Sequence, residues 1–521
     1  MATAAIDDAD RPTMLGGIAG APALWLGAAC FFVHLVANPH YDVFRDELYF
    51  IVCGLHPAFG YVDQPPLIPL IAAASFKLFG TALTPLRLVP ALAATATIAL
   101  TADLARRLGG GRFAQALAGL CVLLAPTLLG GGVGGVLLAT DCMQPLTWTA
   151  CAWIIVRLIE GGEERWWLAF GAVAGFSLET KYGIAFYLVG LAVGVLATPL
   201  RRSLSRPWLY VGAALGLAIA SPNVVWQALN GWPFFQIAAA DVGAKSVGLS
   251  PFGFLLRQAD GVGLVSALVW LPGLWRLAAR PPRPEWRALA IAYVVVLAVF
   301  AFARAKPYYA APIYPSLFAA GGVAWETWLK PAAARWVLVA VVVLPGLVSA
   351  PLVLPILPPP TLVAYMQAIG FSPKAARSEN LEQSALPQDY ADMFGWREMA
   401  AAVSAAYRDL PPGERAQAVF FAGNYGEAAA LDIYGPALDG PPAISGHNSY
   451  FLWGPRGASG DVVVVLGRDP DRFRRVYDDI RAVGRVENDY AMPYENGLTI
   501  WVLRRPRAPL ATFWPLLKHF D

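Results

Sequence analysis

Eleven apolar segments, most of them about 17 to 25 residues long, run along the first 356 positions, and a helix needs that length to cross roughly 30 Å of hydrocarbon. Their approximate limits are 15 to 36, 83 to 104, 113 to 130, 142 to 159, 166 to 181, 184 to 199, 208 to 228, 260 to 278, 287 to 304, 308 to 329 and 333 to 356. Inside a bilayer each backbone N–H and C=O needs a partner within its own segment, so such a chain must fold as a bundle of spanning helices. The stretch from Pro65 to Phe79 reads either as a twelfth span or as an interfacial helix. The first apolar run follows Asp7, Asp8 and Asp10, without the positive flank of a cleavable signal peptide, and reads as a retained span.

Charge divides the chain. Only 14% of the residues are charged, against about 25% in soluble domains, yet 35 of the 75 Asp, Glu, Lys and Arg lie in residues 372–521. A membrane part is therefore followed by a water-soluble one. The expected organisation is a cytoplasmic tail at 1–14, a transmembrane domain at 15–356 with its first outer loop at 37–82, a linker at 357–385 and a periplasmic α/β domain at 386–521. A net charge of +3 leaves no broad basic surface for nucleic acid. The five cysteines, Cys30, Cys53, Cys121, Cys142 and Cys151, form no CxxC pair, and neither HExxH nor a P-loop string occurs. No cofactor is firmly implied, and a divalent metal is not indicated.

Arginine sets the expected orientation. With the N-terminus in the cytoplasm, the inner connections carry Arg106, Arg107, Arg112, Arg157, Arg165, Arg201, Arg202, Arg206, Arg276, Arg280, Arg283, Arg287, Lys330 and Arg335, as the positive-inside rule requires. The chain then reads as a multi-pass protein of the cell inner (plasma) membrane whose C-terminal domain is periplasmic. The outer ends receive Asp42, Arg45, Asp46, Glu47, Asp63, Arg87, Asp141, Glu179, Lys181, Asp241, Lys245, Arg257, Asp260, Arg304 and Lys306. Charges of both signs among Tyr, Trp and Pro at one face look like the lining of a cavity.

Four strings there could carry chemistry. The first outer loop holds Asp46-Glu47 and then Tyr61-Val62-Asp63-Gln64-Pro65-Pro66. Adjacent helical side chains diverge by about 100°, so Asp46 and Glu47 should have different jobs, one at a site and one on backbone or a neighbouring helix. Thr140-Asp141-Cys142 opens the fourth span, where an Asp also serves as an ordinary N-cap. Thr180-Lys181-Tyr182 forms a short outer turn in which a lysine can simply snorkel to water. Lys306-Pro307-Tyr308-Tyr309 and the following Pro312 and Pro315 break regular helix, which a membrane accepts only in protein-buried or wet surroundings.

Together these strings, in this order and on one side, resemble the polyprenyl-phosphate-dependent glycosyltransferases of the protein O-mannosyltransferase and aminoarabinose-transferase kind, family 39 type enzymes with the GT-C fold. The resemblance covers roughly residues 15 to 330. It implies a polytopic α-helical membrane protein of about 11 transmembrane helices, possibly 12, with a C-terminal α/β soluble domain. Relatives often have Lys-Pro-Pro where this chain has Gln64-Pro65-Pro66, so Lys181, Lys306 or Arg87 must supply the positive charge for a donor phosphate. The tail strings Gly423-Asn424-Tyr425-Gly426 and Gly446-His447-Asn448-Ser449 resemble a bacterial branch of the family. The first reads as an ordinary turn, the second as the better candidate for acceptor contact. Pattern alone places strands at Ala418–Phe421, Val462–Leu466 and Leu498–Leu503, and helices at Trp396–Tyr407 and Asp471–Val483.

Moving a sugar from a lipid phosphate to an acceptor needs a base for the acceptor proton and positive charge at the departing phosphate. The expected partners are a polyprenyl-phosphate sugar donor, a lipid, glycan or protein acceptor, and membrane lipids. Asp46 is the expected general base, with Asp141 and Glu47 as further catalytic carboxylates. Lys181, Lys306 and Arg87 are expected at the donor phosphate, and Tyr61, Asp63, Gln64, Tyr308, Tyr309, His447 and Asn448 at the substrates. The rival reading is a lipid-linked sugar transporter or flippase without transferase activity, but such proteins commonly carry internal repeats and midplane charges, and this sequence has neither.

Overall fold

The computed structural model describes residues 22–244, 248–374 and 379–521. The expected tail at 1–14, the opening of the first apolar segment and Lys245 lie outside the described residues. Wherever described, each of the eleven apolar segments falls on helix. In chain order the helices are α1 (Pro22–Ala37); α2 (Arg45–Leu55) and α3 (Leu67–Phe79) in the first long loop; α4 (Leu88–Arg107), α5 (Arg112–Leu124), α6 (Gln144–Ile159), α7 (Trp166–Leu178), α8 (Ile184–Ala197), α9 (Pro207–Leu229), α10 (Pro233–Ala244), α11 (Pro251–Val262), α12 (Ala267–Ala278), α13 (Arg287–Phe302), α14 (Tyr314–Trp328) and α15 (Ala332–Val353). Among the described residues, α4, α9, α13 with its leading turn and α15 are each long and apolar enough to cross a membrane. Two pairs bent by 100° and 99°, α8 with Pro199–Ser205 and α11 with Leu264–Ala278, raise that number to six. The chain is a multi-pass helical membrane protein that also carries one small sheet.

Several apolar segments that read as continuous are broken. Helix α5 stops after Leu124 and Pro126 begins a separate turn; α11 and α12 part at Gly263, whose φ is +87°; and α14 is preceded by a 3₁₀ stretch at Pro307–Ile313. Proline removes a backbone donor, and glycine adopts the positive φ at little cost. Pro126, Gly263, Pro307 and Pro312 all line one cavity, the setting in which a membrane accepts irregular backbone. The unbroken helices pack closely through small residues. A Cβ built on Gly171 of α7 would stand 1.8 Å from the carbonyl oxygen of Gly212 in α9, so only glycine permits that approach.

Beyond α15 the segment expected as a linker contains α16 (Pro359–Ala368), and α17 (Trp396–Arg408) and α18 (Tyr425–Tyr434) follow. A five-stranded sheet is ordered β2-β1-β3-β5-β4, from β1 (Ala418–Ala422), β2 (Ala443–Ser445), β3 (Val462–Gly467), β4 (Tyr477–Val486) and β5 (Leu498–Pro506). Strand β1 pairs in parallel with β2 and β3, whereas β5 runs antiparallel to β3 and β4. The helix expected at Asp471–Val483 is corrected: only Asp471–Arg474 is helical, and from Tyr477 the chain is edge strand β4. Pairing with β5, from Tyr477 opposite Pro506 to Val486 opposite Leu498, outweighs the helical spacing of Phe473, Val476, Ile480 and Val483. Val43, Leu48, Tyr49 and Ile51 of the first loop share one apolar core with Phe420, Ala428 and Val464 of the sheet region. That shared core seats the first loop against the C-terminal region.

Candidate active site

Helix α2 begins at Arg45, and its first turn separates the two adjacent carboxylates. Asp46 lines a cavity of about 1220 Å³, with its side chain 29% exposed, while Glu47 is fully buried. Glu47 closes the turn by accepting the Phe44 N–H at 2.9 Å, and it also accepts the Leu138 N–H at 3.0 Å. Arg87 meets it with Nε at 3.0 Å and Nη2 at 2.9 Å, and the same guanidinium donates to the carbonyls of Asn38 and Asp42 at 2.9 and 2.8 Å. Neither side chain has exposed surface. The expectations for Glu47 as a catalytic carboxylate and Arg87 as a phosphate-binding cation are therefore corrected. Their hydrogen-bonding capacity is spent on tying the first loop to α4 and to the loop before α6.

Lys181 and Lys306 both line the cavity. Lys181 forms an ion pair with Asp141 and stands 4.6 Å from the centroid of the Tyr309 ring. Lys306 pairs with Glu379 at 2.5 Å, and the other oxygen of Glu379 accepts from Gln388 at 3.1 Å. Tyr308, Tyr309, Asp63, Asn448, Arg257, Asp260 and Arg304 complete much of the polar wall. Asp63 accepts the Tyr49 hydroxyl at 3.0 Å. The cavity continues into an apolar part between Leu124, Val262, Val342, Pro345 and Leu352.

Three expected substrate contacts do not reach the cavity surface. Tyr61 is buried and donates to the Cys53 carbonyl at 2.7 Å, and its N–H donates to the Gln64 carbonyl at 2.9 Å, so both residues shape the loop. His447 lies behind Tyr425, whose backbone N–H it accepts on Nδ1 at 3.3 Å. The ligating atoms of His447, His519 and Asp521 come within 4.8 Å of one another. That hydrogen bond leaves the ring proton of a neutral His447 on Nε2, which faces Asp521 at 2.8 Å, so the ring offers no free lone pair there and the trio fits a hydrogen-bonded cluster better than a metal site.

Sequence reasoning missed Glu379, Asp389 and Tyr425, all on the cavity wall. Glu379 fell in the supposed linker, Asp389 at the edge of the supposed soluble domain, and Tyr425 in a string read as a turn. Burial, with Asp392, Glu379 and Asp46 nearby, pushes the Asp389 carboxyl up to about 6. Burial also raises Asp392 to about 6, against the pull of the Arg45 guanidinium.

Residues 63–226 match the model of the family described as dolichyl-phosphate-mannose-protein mannosyltransferase. The ArnT protein of Cupriavidus metallidurans, solved with bound undecaprenyl phosphate, superposes with a TM-score of 0.60 at 17% identity, over 92% of this chain and 97% of that one. Its apo form gives 0.57 at 18% identity over the same shares. An Archaeoglobus fulgidus oligosaccharyltransferase, solved in complex with Zn and sulfate, gives 0.50 at 10% identity over 86% of this chain and 68% of that one. No curated protein sequence matches the chain significantly. The matched family model covers under a third of the chain, and the superpositions show that this chain shares its fold with the ArnT protein.

Proposed function

We propose that the protein transfers a sugar from a polyprenyl-phosphate donor to a lipid, glycan or protein acceptor at the outer face of the cell inner membrane. The observation that carries this reading is one cavity whose wall holds Asp46, Asp141, Lys181 and Lys306 together with apolar residues such as Leu124, Val262 and Val342 that suit a prenyl chain. In this reading all eleven apolar helices span the membrane and the sheet region is periplasmic. Asp46 takes the acceptor proton, while Lys181 and Lys306 stabilise the charge that grows on the donor phosphate as the sugar leaves. Asp141 holds Lys181 at the mouth and orients the acceptor. Tyr308, Tyr309, Asp63 and Asn448 line the path of the sugar. The likeness to an ArnT protein that binds undecaprenyl phosphate supports the choice of carrier.

The test is incubation of the purified full-length protein in liposomes with a panel of radiolabelled undecaprenyl-phosphate sugars and membrane extract. Label leaving the polyprenyl phosphate for an acceptor supports transfer. Label crossing the bilayer still attached to its lipid replaces this reading with a flippase.

A further inference from the structure

We infer that Tyr425, on the sheet-bearing part of the chain, is a positioning residue for Asp46, so that this part is a working component of the active site; the inference rests on the base role proposed above. One oxygen of Asp46, Oδ1, receives two donors, the Tyr425 hydroxyl at 2.8 Å and Arg45 Nε at 3.2 Å. Hydrogen bonds to an ionised carboxylate are among the stronger ones, and two on one oxygen restrict the rotation of the group. The remaining oxygen is left for the acceptor hydroxyl, which a base must meet at about 2.6 to 3.2 Å.

Tyr425 is itself held on several sides. Its ring lies 4.6 Å from that of Tyr49, at 32°, and 4.8 Å from that of His447, with the Arg45 guanidinium 5.3 Å from its centroid. It is the first residue of α18, where Asn424 caps the helix by accepting the Glu427 N–H at 3.0 Å. Gly426 follows, and a Cβ there would stand 2.6 Å from Cγ of Arg45 and 3.1 Å from the Trp396 ring. Glycine at 426 therefore lets α18 approach α2 closely enough for the Tyr425 hydroxyl to reach Asp46. Arg45 is fixed from the same side: Nη1 donates to the Tyr494 hydroxyl at 2.6 Å, Tyr494 donates to Asp392 at 2.9 Å, and the Arg45 N–H donates to the Asp392 carbonyl at 3.0 Å.

Tyr425→Phe keeps the ring and deletes only the donor. In full-length protein with the radiolabelled donor that the panel identifies, turnover should fall about 10-fold while KM for that donor stays within about twofold, as expected for a slight misplacement of a reacting group. Binding of undecaprenyl phosphate alone, read as a rise in melting temperature, should match the parent protein. In an Asp46→Asn background the same Phe substitution should cost nothing further, because its effect passes through the carboxylate. Gly426→Ala, which forces α18 away from Arg45, should reproduce the loss of turnover. Parent-like turnover of Tyr425→Phe, or an equal loss with and without Asp46, overturns the inference while leaving the base reading intact. Parent-like turnover of Asp46→Asn overturns both.

Discussion

The Glu47–Arg87 pair and the two pairs that Lys181 and Lys306 form differ in what surrounds them. Glu47 and Arg87 are fully buried, and backbone groups occupy much of their remaining hydrogen-bonding capacity. The pairs of Lys181 with Asp141 and Lys306 with Glu379 line the cavity, with side chains 12 to 23% exposed. The first arrangement holds a loop in one place, and a phosphate could enter it only by breaking it. In the second, an incoming anion can share a lysine with its carboxylate. Both groups pair a cation with a carboxylate, so the difference lies in how completely each charge is already satisfied.

Five substitutions break or sharpen that contrast. Asp46→Asn should lower turnover by about 10²- to 10⁴-fold with the melting temperature unchanged, as expected for loss of a general base. Arg87→Ala should act on the fold, because it leaves Glu47 buried without its partner and so costs about 3 to 5 kcal/mol, read as a lower melting temperature and poorer yield in membranes. Normal stability in that variant would erase the distinction between the two groups. Lys181→Ala and Lys306→Ala should each weaken binding of undecaprenyl phosphate about tenfold; a cation about 4 Å from a phosphate oxygen offers on the order of 4 kcal/mol at an effective dielectric near 20, before desolvation is subtracted. Unchanged binding in both would move the phosphate elsewhere. The smallest effect is expected from Asp392. Its folded pKa of about 6 lies above that of an unfolded Asp, so its contribution to stability is complete below about pH 4 and is lost as pH rises through about 6. Melting curves from pH 4 to 7 should therefore be flatter for Asp392→Asn than for the parent.

Much of this arrangement was legible in the amino acids. Apolar length marked where helices form, and the divergence of adjacent helical side chains separated the jobs of Asp46 and Glu47 before either was located. Arg87 was misassigned because nothing local distinguishes an arginine that faces a cavity from one that meets a carboxylate forty positions earlier. Tyr61 and Gln64 were misassigned for the same reason: their partners, a Cys53 carbonyl and each other's backbone, are set by the fold of the loop. The edge strand at Tyr477–Val486 is largely exposed, so it lacks the alternation of apolar and polar residues that would reveal a strand, and only its pairing with β5 defines it. Glu379 pairs with a lysine 73 positions away and Tyr425 with a carboxylate 379 positions away, contacts that no window along the chain contains.

Arg45 occupies one end of α2, yet it is anchored almost entirely by residues from beyond position 390. A helical part grafted onto a C-terminal part from another protein would lose its grip on the opening of α2 unless the donor also brought counterparts of Asp392, Tyr425, Gly426 and Tyr494. The two parts are thus not interchangeable modules, and chimeras joined between α15 and α17 should be designed around those four positions.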